Sequence, residues 1–299
     1  MEQPFPILHS AVTIMTPLLL AATGGLFTEL AGVLNIALEG LLLTGAFTAI
    51  VCANFSGSIT VGVLAAIAAS MTLAALVGVV TLKLKSNVFI TGLAANLFAA
   101  GITVVLSARL FATRGVIVFR DMEKPATVTL PGAADVPVIG SLFSGHTWYV
   151  YASWVLLFFC WIILYRTPLG FRLRSCKDHS QALVSLGINP ASYQFAAFLI
   201  SGFACGIGGS LLTLNLGVFV PNISAGKGWI ALVVIFLGNR KPLGVFAAAL
   251  IFGLADAFSN YAQGILNVPA DFILAIPYIF TLVVLIGVSI YTKRKNRVL

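Results

Sequence analysis

Charge is what this sequence has least of. Only 9% of its 299 residues are charged, where a soluble domain carries about a quarter. With 60% hydrophobic residues and a mean hydropathy of +1.05, most of its surface must face a lipid bilayer. No polar stretch is long enough to fold separately, so residues 1–299 read as a single membrane domain. Other absences exclude whole chemistries. There is no Gly-x-x-x-x-Gly-Lys-[Ser/Thr], so the chain lacks the loop that cradles ATP phosphates. His9, His146 and His179 stand far apart, with no nucleophile or carboxylate in a catalytic arrangement. Cys52, Cys160, Cys176 and Cys205 form no Cys-x-x-Cys and have no histidine at metal-ligand spacing. No catalytic residue, metal or cofactor is expected. No Lys or Arg precedes the first apolar span, which argues against a cleaved signal peptide.

What is present is a series of apolar runs punctuated by Pro, Gly and charge. They fall at about 7–27, 36–55, 58–82, 88–111, 148–165, 193–216, 228–238, 244–262 and 270–291. A crossing takes about 20 apolar residues, so the fold class is an all-α integral membrane bundle of about nine transmembrane helices. The run at 228–238 is too short to cross alone. Either it borrows from 218–227, or it is broken or re-entrant, which is tolerated only where protein or a watery cavity covers the free backbone.

The net charge of +8 does not point to nucleic acid, because the basic residues cluster between spans. One set of connections holds Lys83, Lys85, Arg166, Arg172, Arg174, Lys177, Arg240, Lys241, Lys293, Arg294, Lys295 and Arg297. The alternate set holds Arg109, Arg114, Arg120, Lys124 and Lys227. Positive loops stay inside, so the first set and the C-terminus are expected in the cytoplasm. Two hydrophilic segments then follow: an external loop at 112–147 and a cytoplasmic segment at 166–192. In the latter, Ala182, Leu183 and Leu186 recur at helical spacing and Gly187 reads as a stop. A short amphipathic helix at the inner face fits, and so does a solvated loop.

Small residues recur at i, i+4 in three places: Gly202, Gly206 and Ser210; Ala249, Gly253 and Ala257; and Ala66, Ser70, Ala74 and Gly78. These are seams where helix backbones approach closely. Polar residues inside spans are rarer and more informative, because lipid penalises them. Asp256, Asn260 and Gln263 share one helical face, with Asp256 roughly 18 Å from Gly244 at 1.5 Å per residue. Asn96, Thr103 and Ser107 form a second polar face. Both suit interhelical hydrogen bonds or a cavity lining. In GLFTELAGVLNIALEGLLLTGAF (25–47), Glu29, Gly32, Asn35 and Glu39 interrupt an apolar run. A broken helix beside a transport site has this look. An ordinary connection followed by a new span has it too, and from the residues alone that plainer reading is preferred.

AGVLNIALEGLLLTGAF resembles the nucleoside and simple-sugar branch of ABC importer permeases, related to the ribose and branched-chain amino acid permeases. Further segments match in order: ITGLAANLFAAGITVVL (90–106), LGFRLRSCKDHSQALVSLGI (169–188), SGFACGIGGSLL (201–212), AGKGWIALVVIFLGNRKPLGVFAAALIFGLADA (225–257) and PYIFTLVVLIG (277–287). The resemblance implies a permease that imports a nucleoside, the alternative being a simple sugar. It implies a second permease subunit forming a heterodimer, a cytoplasmic ABC ATPase that carries the hydrolysis, and an extracytoplasmic solute-binding protein. It also implies a multi-pass location in a prokaryotic inner membrane. Arg172, Arg174, Asp178, His179, Ala182, Gly187 and Ile188 carry over as the ATPase-coupling residues. The family's Gly-Glu-His/Asn-Pro is replaced here by Cys176-Lys177-Asp178-His179-Ser180. For the solute path the candidates are Asn35, Glu39, Asn96, Thr103, Ser107, Asp256, Asn260 and Gln263. A self-sufficient secondary transporter lacks enough intramembrane acids here, and a channel lacks a repeated pore segment.

Overall fold

The computed structural model describes residues 6–119, 125–129 and 137–265, with positions 279, 282, 283 and 286. Among the described residues, seven helices are long and apolar enough to cross a bilayer. They are α1 (Pro6–Leu30), α2 (Leu38–Ser56), α3 (Ile59–Leu82), α4 (Val88–Phe111), α6 (Trp148–Arg166), α9 (Pro190–Leu214) and α11 (Pro242–Ile265). Four shorter helices accompany them: α5 (Pro137–Phe143), α7 (Pro168–Asp178), α8 (Ser180–Ser185) and α10 (Lys227–Leu237). The last expected span, 270–291, lies outside the described residues apart from helical positions at 279, 282, 283 and 286.

Burial sorts the helices into a centre and a rim. In α1 and α2, 89% and 72% of the apolar window is buried, against 28% in α4. The core runs through Leu19, Leu26, Leu38, Leu41 and Leu42, all at 0% exposure, onto Phe198 and Ile235. The small-residue seams explain how α2, α3 and α9 come so close. A Cβ on Gly202 would strike Ser70, Met71 and Ala74, and one on Gly206 would strike Ala66 and Ile67. Ser70 uses the proximity to donate its hydroxyl to the Leu41 carbonyl at 2.9 Å. In the same way Gly253 rests on Ala11 and Met15, joining α11 to α1.

The bundle has two distinct ends. At one, β1 (Ile117–Val118) pairs antiparallel with β4 (Val218–Phe219), and β2 (Thr127–Val128) with β3 (His146–Thr147). His9 stacks on His146 there, with ring centroids 4.1 Å apart. At the other end lie Lys83, Lys85, α7, α8 and the turn 238–241, tied to the foot of α1 through Glu29.

Two expectations need correction. Residues 218–227 and α10 together run from one end of the bundle to the other, with the borrowed part a strand and turns, so the segment is broken, as one of the two expectations had it. The chain enters at the β4 end and leaves at Arg240 at the other, with α10 supplying only roughly 16 Å of helix. Lys227, placed with the outer connections, is therefore inside the bundle at the start of α10. The second correction concerns 25–47, where the plain connection does not hold. Gly32 at φ +82° ends α1, with Gly32 N–H bonded to Glu29 O and Val33 N–H to Thr28 O, a Schellman closure. The chain then climbs back between the helices before α2 begins at Leu38. Ser201, which Asn35 touches, is roughly 16 Å along α9, so this is helix-free backbone near mid-membrane.

Candidate functional site

Backbone without a helix inside a bilayer must find every partner in the protein. At the α1–α2 break, asparagine side chains do this. Asn35 Oδ1 accepts from Ala37 N–H at 3.0 Å, closing a local turn, while its Nδ2 donates to Ser201 Oγ at 2.6 Å. Asn96 reaches across from α4: its Nδ2 donates to Ile36 O at 3.0 Å and its Oδ1 accepts from Gly40 N–H at 2.8 Å. It thus serves as a cap for α2, whose own N-cap position, Ala37, has no side chain able to do so. The approach is possible because Gly92 on α4 leaves room: a Cβ there would overlap Ile36.

Glu39, one residue into α2, repeats the device on α10. Its Oε1 accepts from Gly226 N–H at 2.8 Å and from the Ser224 hydroxyl, and its Oε2 accepts from Gly228 N–H at 2.7 Å. A carboxylate at a helix N-terminus satisfies free donors and meets the positive end of the dipole. Gly226 takes φ +76°, and a Cβ on Gly228 would overlap the Glu39 backbone, so both glycines are needed to bring α10 this close. Capping therefore runs as a relay, from α4 to α2 through Asn96 and from α2 to α10 through Glu39.

Between those glycines, Lys227 turns the other way and pairs with Asp256 of α11, Nζ to Oδ2 at 3.5 Å. The pair is loose and partly exposed, at 21% and 26% for the two side chains. A pocket bounded by Ile14, Leu18, Ile230 and Phe252 opens at it. Beyond Asp256 on the same face, Asn260 is exposed and the Gln263 Nε2 has no partner among the described residues.

The predicted path residues thus divide. Asn35, Glu39 and Asn96 converge on the break, and Asp256 joins them through Lys227. Thr103 and Ser107 do not: Thr103 donates within its own helix, to Ala99 O at 2.9 Å, and the Ser107 hydroxyl is buried without a partner among the described residues. Helix α4 packs on α2 and α3, and α11 on α1, α6 and α10, so the two polar faces lie on opposite sides of the central helices. Reading the sequence missed Lys227, Ser201 and Ser224. The signal for Lys227 was a lysine flanked by two glycines immediately before an apolar run.

At the basic end, α7 packs against α6 and α9 through Leu173 and Cys176, and α8 buries only Leu183. The short helix expected before Gly187 is α8, and α7 precedes it as a second helix. Gly187 ends α8 at φ +74°, with Gly187 N–H on Val184 O and Ile188 N–H on Leu183 O, as its position suggested. Arg172 donates to Tyr193 Oη at 2.9 Å, and the Arg174 guanidinium lies 4.8 Å from the Tyr165 ring centroid. Asp178, His179, Ala182 and Gly187 are exposed and Ile188 is half-buried. Phe171 on α7 and Val184 and Leu186 on and after α8 are also exposed, at 66%, 62% and 74%. Lys177 turns inward and shares Glu29 Oε1 with Arg240, at 2.8 and 2.7 Å.

Compared with known proteins, residues 7–289 match the family described as branched-chain amino acid transport system / permease component. The chain belongs to this family. The permease is 31% identical to the guanosine ABC transporter permease protein NupQ of Bacillus subtilis, over 94% of this chain and 91% of that one. It is 31% identical to the nucleoside ABC transporter permease protein NupC of Lactococcus lactis, over 93% and 90% respectively. A putative glucose ABC transporter permease protein of Haloferax volcanii, TsgC13, is 28% identical over 87% of this permease and 78% of its own length. No solved structure matches the permease.

Proposed function

We propose that this permease is one transmembrane half of an ATP-driven nucleoside importer, with the solute passing along the α10–α11 face. The observation that carries the reading is the Lys227–Asp256 pair with the polar residues beyond it. Charged and amide groups inside a membrane span belong against a watery path or another subunit, because lipid does not tolerate them. Asp256, Asn260 and Gln263 offer acceptors and donors suited to ribose hydroxyls and base edges, and the one charge there is already neutralised. A neutral polar solute fits such a wall. The nucleoside permeases NupQ and NupC, matched almost end to end, support that class over the sugar suggested by TsgC13.

A second permease subunit closes the path, giving a heterodimer. The basic end faces the cytoplasm, so the C-terminus is inside and segment 112–147 outside, where a solute-binding protein delivers its load. The exposed Phe171, Val184 and Leu186, with Arg172, Arg174, Asp178, His179, Ala182, Gly187 and Ile188 around them, dock a separate ABC ATPase. Asn35, Glu39 and Asn96 hold the half-helices that carry Lys227. The deciding experiment is uptake into vesicles holding the co-reconstituted complex, with nucleosides, nucleobases and pentoses as solutes. ATP-dependent nucleoside uptake, absent with the permease alone, is expected. Uptake of pentoses but not nucleosides would overturn the solute class, and uptake by the permease alone would overturn the ATP-driven mechanism.

A further inference from the structure

A second feature of the bundle faces away from the proposed path. Helices α3 and α4 are consecutive, yet each packs mainly on other helices, α3 on α2 and α9, and α4 on α2. They diverge and leave a cleft of about 350 Å³ between them. Its α3 wall is Leu73, Leu76, Val77 and Val80, and its α4 wall includes Ile90, Ala94 and Phe98. Both walls follow helical i, i+3, i+4 rows, so each row can be continued to see what stands at the mouth. On α3 the next position after Val80 is Lys83, where the backbone is still helical and Lys83 N–H bonds Val79 O. On α4 the row leads back to Ser86, beside Lys85.

The mouth is therefore basic and the interior hydrocarbon. Lys83 and Lys85 are both exposed, and neither has an ion pair among the described residues. No Asp or Glu occurs between Glu39 and Asp121, so no nearby sequence neutralises them. The outer faces beside the cleft are apolar, with Leu76, Ile90, Leu97 and Phe98 at 56%, 65%, 68% and 59% exposure. Unlike the α11 face, they present no amide or carboxylate for a partner subunit or a polar solute to meet.

The geometry points to an anionic phospholipid bound here, one acyl chain in the α3–α4 cleft and its phosphate on Lys83 and Lys85. Basic pockets between helices at the inner surface hold anionic headgroups in this way, while the cleft adds apolar contact that a free phosphate cannot use.

The test is native mass spectrometry of the full-length permease in detergent, offered phosphatidylglycerol or phosphatidylcholine with the same acyl chains. Phosphatidylglycerol is expected to stay bound and phosphatidylcholine to be lost. Replacing Lys83→Gln together with Lys85→Asn should lower phosphatidylglycerol retention about 30-fold, the equivalent of about 1 kcal/mol per lysine near an anionic lipid. Asparagine is chosen because Lys85 has φ 53°, a left-handed conformation it tolerates. Ala94→Trp, which fills the cleft, should lower retention while leaving the lysines in place. Competition by inorganic phosphate should not displace the lipid. Equal retention of the two lipids, or no change in the lysine variant, would overturn the proposal. So would efficient cross-linking of Leu76→Cys to a second permease subunit, which would make the cleft a protein seam.

Discussion

Glu29 and Glu39 stand ten residues apart on either side of the same break, and both are buried, at 6% and 8% exposure. Their surroundings differ completely. Glu29 sits at the basic end and takes two cations, Lys177 from α7 and Arg240 from the turn after α10. Glu39 sits inside the bundle and, among the described residues, takes no cation but two backbone N–H groups and a hydroxyl. One carboxylate is an electrostatic tie between surface elements, and the other is a cap that makes a half-helix possible inside a membrane. Together they hold α10 at both ends, Glu39 at its start and Glu29 just beyond its finish. Helix α10 thus connects the contact with Lys177 of α7, made through Glu29, to the Lys227–Asp256 pair at its other end.

The largest expected effect follows from the Glu39 end. Glu39→Leu orphans three donors where no water can replace the acceptor, at a cost of about 3 kcal/mol or more. It should abolish recovery of monodisperse protein in size-exclusion chromatography. Glu39→Gln should be intermediate, since its amide nitrogen would face donors. A Glu39→Leu protein as heat-stable as the parent would show that α10 does not depend on this cap.

Asn96→Leu should come next, because it strips Ile36 O and Gly40 N–H of their partners, at about 2 kcal/mol. Asn96→Asp keeps the acceptor for Gly40 and should retain more thermal stability than Asn96→Leu. If both variants melt like the parent but transport poorly, Asn96 serves the solute rather than the break.

For the looser pair, Asp256→Leu leaves Lys227 unpaired and should reduce both assembly and transport. Adding Lys227→Met should restore assembly without restoring transport. Asp256→Asn should be milder than Asp256→Leu. Full uptake by the double variant would move the solute path away from α10 and α11.

Glu29→Gln should cost less stability than Glu39→Gln, about 1 kcal/mol, because Lys177 and Arg240 keep contact with water at 35% and 46% exposure. Its effect should shrink as salt rises, whereas the Glu39 effect should not. Its sharper readout is coupling. ATP hydrolysed per solute imported should rise while the ATPase still co-purifies, and Glu29→Asp should bring the ratio part of the way back.

The smallest effect belongs to the opposite end. Burial, with the His9 ring beside it, pushes the His146 pKa down to about 4 from 6.5. Between those values the unfolded chain binds more protons than the folded one, so stability falls as pH drops through that window. Melting temperature should therefore decline from pH 6.5 to pH 4, and His146→Gln should flatten the decline. An unchanged slope would show that another group sets it.

Much of this was legible in the residues. Hydrophobic length alone located α1–α4, α6, α9 and α11 to within three residues at either end. The i, i+4 glycines and serines of α3 and α9 named the seam that the structure closes. The polar face of α11 was legible because period 3.6 sets side-chain direction whatever the helix packs against. The break at Asn35 was visible as an interruption but not as a half-helix. Lys227 was misplaced because counting basic residues by loop assumes that every crossing is a helix.

What the sequence determined by itself is therefore the membrane class, the spans and the seams, since each follows from local hydrophobicity and helical period. Tertiary structure decided how two of the helices can begin inside the bundle. Leu38 and Lys227 start helices inside the bundle because Asn96 and Glu39, distant in sequence, supply the acceptors that water supplies elsewhere. Only contact between α4, α2 and α10 brings those groups within hydrogen-bonding distance, and no local pattern encodes it.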